Sequence, residues 1–262
     1  LHDALPIFAK ELAEAPRALG ADRLVREHHL TEVAAENLLD YLADQAEATG
    51  VVPSHQTVVV ESFIDELGDW RVCILTPFGT RVHAPWAMAI AEQLAQRQTG
   101  EVDFTYGDDG IAFRLPERDE PPQLDAFFPP SDEVEDIVTR KLGKTAQFAA
   151  RFRENAARAL LLPRHRPNRR RPLWLQRRRA ADLLSVASHY PGFPMLLETY
   201  RECLRDAFDV PALRRVLEEV ERKRIGVRAV TTGKPSPFAG ALLFNYAGNF
   251  LYEGDAPLAE RR

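Results

Sequence analysis

The chain has 262 residues, 45% of them hydrophobic and 28% charged, enough for one large domain or two small ones. No run of 18 apolar residues occurs, which excludes a long apolar membrane-spanning helix, and two distant cysteines, Cys73 and Cys203, argue against a disulfide scaffold or a cysteine-rich zinc site. The net charge of −5 hides a segregation: residues 101–136 carry twelve acidic and two basic side chains, whereas residues 151–179 carry eleven arginines and one acid, Glu154.

The only methionines are Met88 and Met195, and residues 1–7 (LHDALPI) lack the layout of a signal peptide. They read as a translated sequencing adapter, so the native sequence is expected to begin near Phe8. The last residues, Ala259-Glu260-Arg261-Arg262, read as a helix cut short, and the whole as a fragment of a longer protein. Residues 8–52 read as a helical connector. Apolar positions 34, 38, 41 and 42 form a one-faced stripe, with Thr31 as N-cap and Gly50 as stop. Thr57–Ile64 and Trp70–Thr76 are rich in β-branched residues and read as strands joined by a hairpin loop at 65–69.

Pro85–Gln98 reads as a helix with Pro85 near its first position, ended by Gly100. Val102–Tyr106 and Ile111–Leu115 flank Gly107-Asp108-Asp109-Gly110, a second hairpin signal. A Pro-rich acidic connector at 116–130 precedes helices at 131–141, capped by Ser131, and 145–162. Three prolines keep residues 163–172 out of regular structure. Helices return at 173–189, 195–207 and 210–223, followed by a short strand at Val227–Thr231 and an apolar helix from Phe238. The fold class is α+β: antiparallel strand pairs packed with helices, then a helical C-terminal half.

Two segments imitate nucleotide-binding motifs. Gly143-Lys144-Thr145 resembles the end of a phosphate-binding loop, but that loop needs glycine where Val138 stands and a buried strand before it. Asp132-Glu133-Val134-Glu135 follows prolines rather than an apolar strand, and acids there suit the first turn of a helix. The histidines have no metal-ligand spacing.

The stretch from Arg158 to Arg179 has nine arginines and no acid, with Trp174 inside it. Such a stretch attracts phosphates, and an aromatic offers a face for a base. Arg164, Arg166, Arg169, Arg170 and Arg171 lie in the proline-interrupted loop that core packing cannot absorb. The competing reading is a solvated loop paired with the acidic block. Trp174, beside Leu173 and Leu175, reads as half-buried. A second constellation is Arg81, His83 and Trp86 at the expected start of the helix, where an indole can project and free N–H groups suit a phosphate. The competing reading packs Trp86 on the sheet.

These residues carry a resemblance. Glu66-Leu67-Gly68-Asp69-Trp70-Arg71-Val72, Pro77-Phe78-Gly79 and Arg81-Val82-His83-Ala84-Pro85-Trp86 are similar to the region that follows the motor and winged-helix modules of Lhr-type (large helicase-related) superfamily 2 helicases. So are Phe152-Arg153-Glu154-Asn155-Ala156-Ala157-Arg158, Glu198-Thr199-Tyr200-Arg201-Glu202-Cys203-Leu204, Ser236-Pro237-Phe238-Ala239 and Leu251-Tyr252-Glu253-Gly254-Asp255. The resemblance assigns residues 53–262 to a DEAD/H-associated domain, truncated at its C-terminus. It implies a bacterial, cytoplasmic ATP-dependent helicase of nucleic-acid repair whose partners are single-stranded DNA or a DNA–RNA hybrid. It also implies intramolecular contact with RecA-like and winged-helix modules, and no membrane. ATP and Mg belong to the parent's motor; no ATPase motif and no cofactor site is expected in this chain. Two alternatives stay open: a protein-interaction module docking through the acidic block, and a metal-dependent hydrolase using Asp108, Asp109 and His83.

Overall fold

The computed structural model of the protein describes residues 10–12, 15–97, 102–116, 123–162 and 172–244. Helices α1 (Arg17–His28) and α2 (Glu32–Thr49) come first. The Thr31 hydroxyl accepts the Ala34 N–H at the start of α2, and Gly50 ends it in the left-handed region, which is how such residues satisfy helix termini. Leu24, Ala35, Leu39 and Leu42 pack with Val52 and Phe238, so the pair is fastened to the rest of the molecule.

Five strands form one sheet: β1 (Thr57–Ile64), β2 (Trp70–Leu75), β3 (Asp103–Tyr106), β4 (Gly110–Leu115) and β5 (Gly226–Thr231), in the order β3-β4-β2-β1-β5. The β1–β2, β2–β4 and β3–β4 pairs are antiparallel, as the hairpin signals imply, and β5 lies parallel to β1. Alternation along the strands sends Val58, Val60, Val72, Ile74, Ile111 and Phe113 to one face and Val59, Phe63, Cys73 and Leu75 to the other. Both faces are covered, which is why these strands read as nearly unbroken apolar runs rather than alternating ones.

The first face carries α3 (Thr80–Arg97), with α4 (Val134–Leu142) and α8 (Val210–Glu221) packed on that helix. Ala239 and Leu242, in the helical residues 237–244, cover the second. There Glu61 is fully buried. Its carboxylate accepts the Ser236 N–H at 2.7 Å, the Thr232 hydroxyl at 2.8 Å and the Ser236 hydroxyl, so the Ser236-Pro237-Phe238-Ala239 motif closes the sheet. A lobe of three helices, α5 (Ala146–Arg158) packed against both α6 (Leu173–Ala187) and α7 (Pro194–Glu202), completes the helical half. Among the described residues no helix is long and apolar enough to cross a membrane.

Two local expectations are corrected. Helix α3 starts at Thr80, so Pro85 lies inside it rather than near its first position. Proline cannot donate to the carbonyl four residues back; that carbonyl, of Arg81, instead accepts the Asp209 N–H at 2.9 Å. The start is set by Gly79, whose φ of 83° turns the chain out of β2. Ser131 does not cap α4. Its N–H and hydroxyl both donate to the Glu221 carboxylate, at 2.8 Å each, tying the entrance of α4 to the end of α8.

Candidate nucleic-acid interface

The early start of α3 decides the fate of Arg81, His83 and Trp86. Trp86 is a full turn or more inside the helix and faces the sheet. It is wholly buried, its Nε1–H donates to the Phe127 carbonyl at 3.0 Å, and its ring meets Phe128 edge-on at 5.7 Å. A buried indole with a satisfied N–H is a core group, which corrects the expectation that it is displayed to a strand. His83 is corrected likewise. It is fully buried, with Nδ1 at 2.7 Å from the Gly107 carbonyl and Nε2 at 2.8 Å from Thr76 Oγ1. Burial pulls its pKa down to about 4, so the ring is neutral and joins the second hairpin to α3. Arg81 alone of the three is exposed, its guanidinium held by the carbonyls of Arg205 at 2.8 Å and Phe208 at 3.5 Å.

The loop arginines Arg164, Arg166, Arg169, Arg170 and Arg171 lie outside the described residues. The helices on either side of them are described. Arg158 donates to Glu202 at 2.6 Å and to Asn155, whose amide donates to Thr199 at 3.0 Å. The two motifs Phe152–Arg158 and Glu198–Leu204 therefore form a polar clamp between α5 and α7. On the other side, α6 displays what the sequence places half inside: Trp174 is 62% exposed. Its indole projects because the buried residues of α6, Ala180 and Ala187, lie on a different face.

Arg177 and Arg178 follow Trp174 at three and four residues, one turn along the same side of the helix, and Arg179 adjoins them; all three are exposed. Among the described residues none of the three has an ion-pair partner, not even Asp182 one turn beyond Arg178, and no acid of the 101–136 block reaches them. An exposed indole beside unneutralised guanidiniums can stack on a base while the guanidiniums hold the flanking phosphates. The sequence counts Arg177–Arg179 within the arginine-rich stretch without singling them out as site residues; the signal that could have done so is an aromatic with arginines at helical spacing and no acid on that turn.

Among the described residues no cluster of histidine, cysteine and carboxylate side chains that could hold a metal ion forms around Asp108, Asp109 and His83. Asp108 accepts the Thr80 N–H at 3.1 Å and hydroxyl at 2.6 Å, which caps α3, and His83 is spent inside. The carboxyl of Asp109 is pushed up by burial and then by Asp108. Thr145, from the imitation phosphate loop, caps α5 by accepting the Phe148 N–H at 3.1 Å.

Residues 52–239 match the family model described as DEAD/H associated. The chain belongs to the DEAD/H-associated family. It is 51% identical, over its whole length, to the Lhr helicase/probable uracil glycosylase of Mycolicibacterium smegmatis, and 46% identical over 86% of its length to the Lhr helicase/uracil glycosylase of Escherichia coli. It spans only 17% and 15% of those two proteins. A solved structure of Mycobacterium smegmatis helicase Lhr bound to ssDNA and AMP-PNP superposes with a TM-score of 0.82 at 48% identity, over 93% of this chain and 31% of that one. This DEAD/H-associated chain therefore corresponds to one segment of an Lhr-type helicase.

Proposed function

We propose that this DEAD/H-associated domain is the nucleic-acid-engaging accessory part of an Lhr-type helicase, holding the translocating single strand beside a RecA-like motor that lies outside the chain. The observation that carries the reading is the display of Trp174 beside Arg177, Arg178 and Arg179. The likeness to a helicase solved with ssDNA supports it. In the same proposal the parent's motor and winged-helix modules pack against this domain, ATP and Mg act in the motor, and the parent works on DNA or DNA–RNA hybrids during repair in the bacterial cytoplasm.

The test is the salt dependence of oligonucleotide binding by the 262-residue chain and by Arg177→Gln/Arg178→Gln/Arg179→Gln. The slope of log K against log salt should flatten by about 0.7 for each phosphate of the single strand that the variant no longer neutralises. Trp174→Ala should weaken all sequences alike, and Trp174→Phe should retain most of the affinity, because it keeps a π face. An unchanged slope together with unchanged affinity would assign this ridge of α6 to docking on another module instead.

A further inference from the structure

A cleft of about 620 Å³ opens in front of the first turn of α3, between it and α8. That is the size of small-molecule sites, ~300–1,000 Å³. Its floor is apolar: Val82 and Ile225 are buried, and Phe78, Ala212 and Val216 are partly so. Three carboxylates line it, and each is engaged. Asp108 caps α3, Asp209 accepts the Ala212 N–H at 2.9 Å to cap α8, and Glu219 lies 3.1 Å from Arg224 and 3.9 Å from Arg222.

The cations are not matched in the same way. Arg215 lines the cleft, is exposed, and has no ion-pair partner among the described residues. Among the described residues Arg81 donates to carbonyls and has no carboxylate partner. His55 also lines the cleft, half-buried, with its Nδ1 closed off from solvent and without a hydrogen-bond partner among the described residues.

We propose that this cleft seats one nucleotide unit, with its base on the Phe78 side of the apolar floor beside the His55 ring, and its phosphate at Arg215 and Arg81. An apolar floor alone would take any lipophile, and arginines alone any anion. The joint requirement for a flat apolar face and a phosphate at the rim is met by a nucleotide. The inference rests on the single-strand reading above and adds a second point of engagement away from α6. It also gives a use to Arg81, the one residue of its expected trio that stays at the surface.

The experiment uses the 262-residue chain with two probes, a dT oligonucleotide and free dTMP, followed by anisotropy and by the His55 ring signals in magnetic resonance. Ala212→Trp fills the cleft without touching the backbone N–H that Asp209 accepts. Arg215→Gln removes the rim charge from an exposed position, so stability is expected to hold even if the bulky variant folds poorly. Each should cut oligonucleotide affinity about five-fold or more, and the oligonucleotide should move the His55 signals in the unmodified chain. If dTMP moves them and the oligonucleotide does not, the cleft takes a free nucleotide and the strand form of the proposal is overturned. Full affinity in both variants with unmoved His55 signals overturns it entirely. Arg177→Gln/Arg178→Gln/Arg179→Gln run in parallel separates the two sites: weakened binding there alone removes the cleft and keeps the α6 reading, and weakened binding in the cleft variants alone does the reverse.

Discussion

Replacing Trp86 by alanine deletes an indole that is excluded from solvent and takes the donor from the Phe127 carbonyl. Large-to-small changes of this kind cost about 3–5 kcal/mol, and an orphaned buried carbonyl pushes toward the upper end. In a chain of this size each kcal/mol moves the melting temperature by roughly 2–4 °C, so Trp86→Ala should melt on the order of 10–20 °C lower. Trp86→Phe keeps most of the ring and loses the N–H donor, about 1–3 kcal/mol. Thermal melts by circular dichroism give the stabilities, and anisotropy with a dT oligonucleotide well below the transition gives the affinity. Affinity should stay within about two-fold of the unmodified chain in both variants, because a wholly buried ring has no face to offer. Trp174→Ala should show the opposite pattern, with stability within about 0.5 kcal/mol and affinity down about 5- to 150-fold. A Trp86→Ala chain that melts normally but loses the oligonucleotide would refute the burial argument.

Three further outcomes are expected. His83 has its pKa lowered from the ordinary 6.5 to about 4, so below pH 6.5 the unfolded chain takes up a proton that the folded one refuses; stability present above that pH falls between 6.5 and 4, by about 3 kcal/mol. Urea midpoints across that range should show the decline, and His83→Gln should flatten it. Gly110→Ala should destabilise by more than about 1 kcal/mol, read as a lower urea midpoint, because φ is 155° there and any Cβ would collide with the Ile74 carbonyl. Glu61→Gln turns one acceptor of the Ser236 and Thr232 donors into a competing donor; it should destabilise by about 1–3 kcal/mol and hasten proteolysis around residues 232–239, while Glu61→Asp should restore part of the stability.

Legibility followed the range of the interactions. The caps of α2, the two hairpins and the strand at Gly226–Thr231 depend on neighbouring residues, so Thr31, Gly50 and the Val-rich run in β1 announced them. The parallel seat of β5 beside β1 depends on a crossover through the whole helical half, and nothing local encodes it. Pro85 misled for the same reason. Its cost as a helix interior residue is offset by Asp209, far along the chain, so a local rule set the helix start five residues late. That shift put Trp86 in the core, whereas Trp174 is at the surface for a separate reason, the buried Ala180 and Ala187 lying on another face of α6. Of the expected site, Arg81 and Trp174 stay exposed, His83 and Trp86 are interior, and the loop arginines fall outside the described residues.

The β1–β5 pairing also sets a timetable for synthesis. Ser62 and Thr231, which meet side by side, are 169 residues apart. At ~5–20 residues per second on the ribosome, β1 waits roughly 10 to 30 s with its outer edge unpaired. During that interval the segment Thr57–Ile64 has the profile that templates intermolecular strand addition, rich in β-branched residues with one charge and no proline. Chains released before residue 226 should therefore aggregate through this edge, and nascent polypeptides of that length should be those a ribosome-associated chaperone retains.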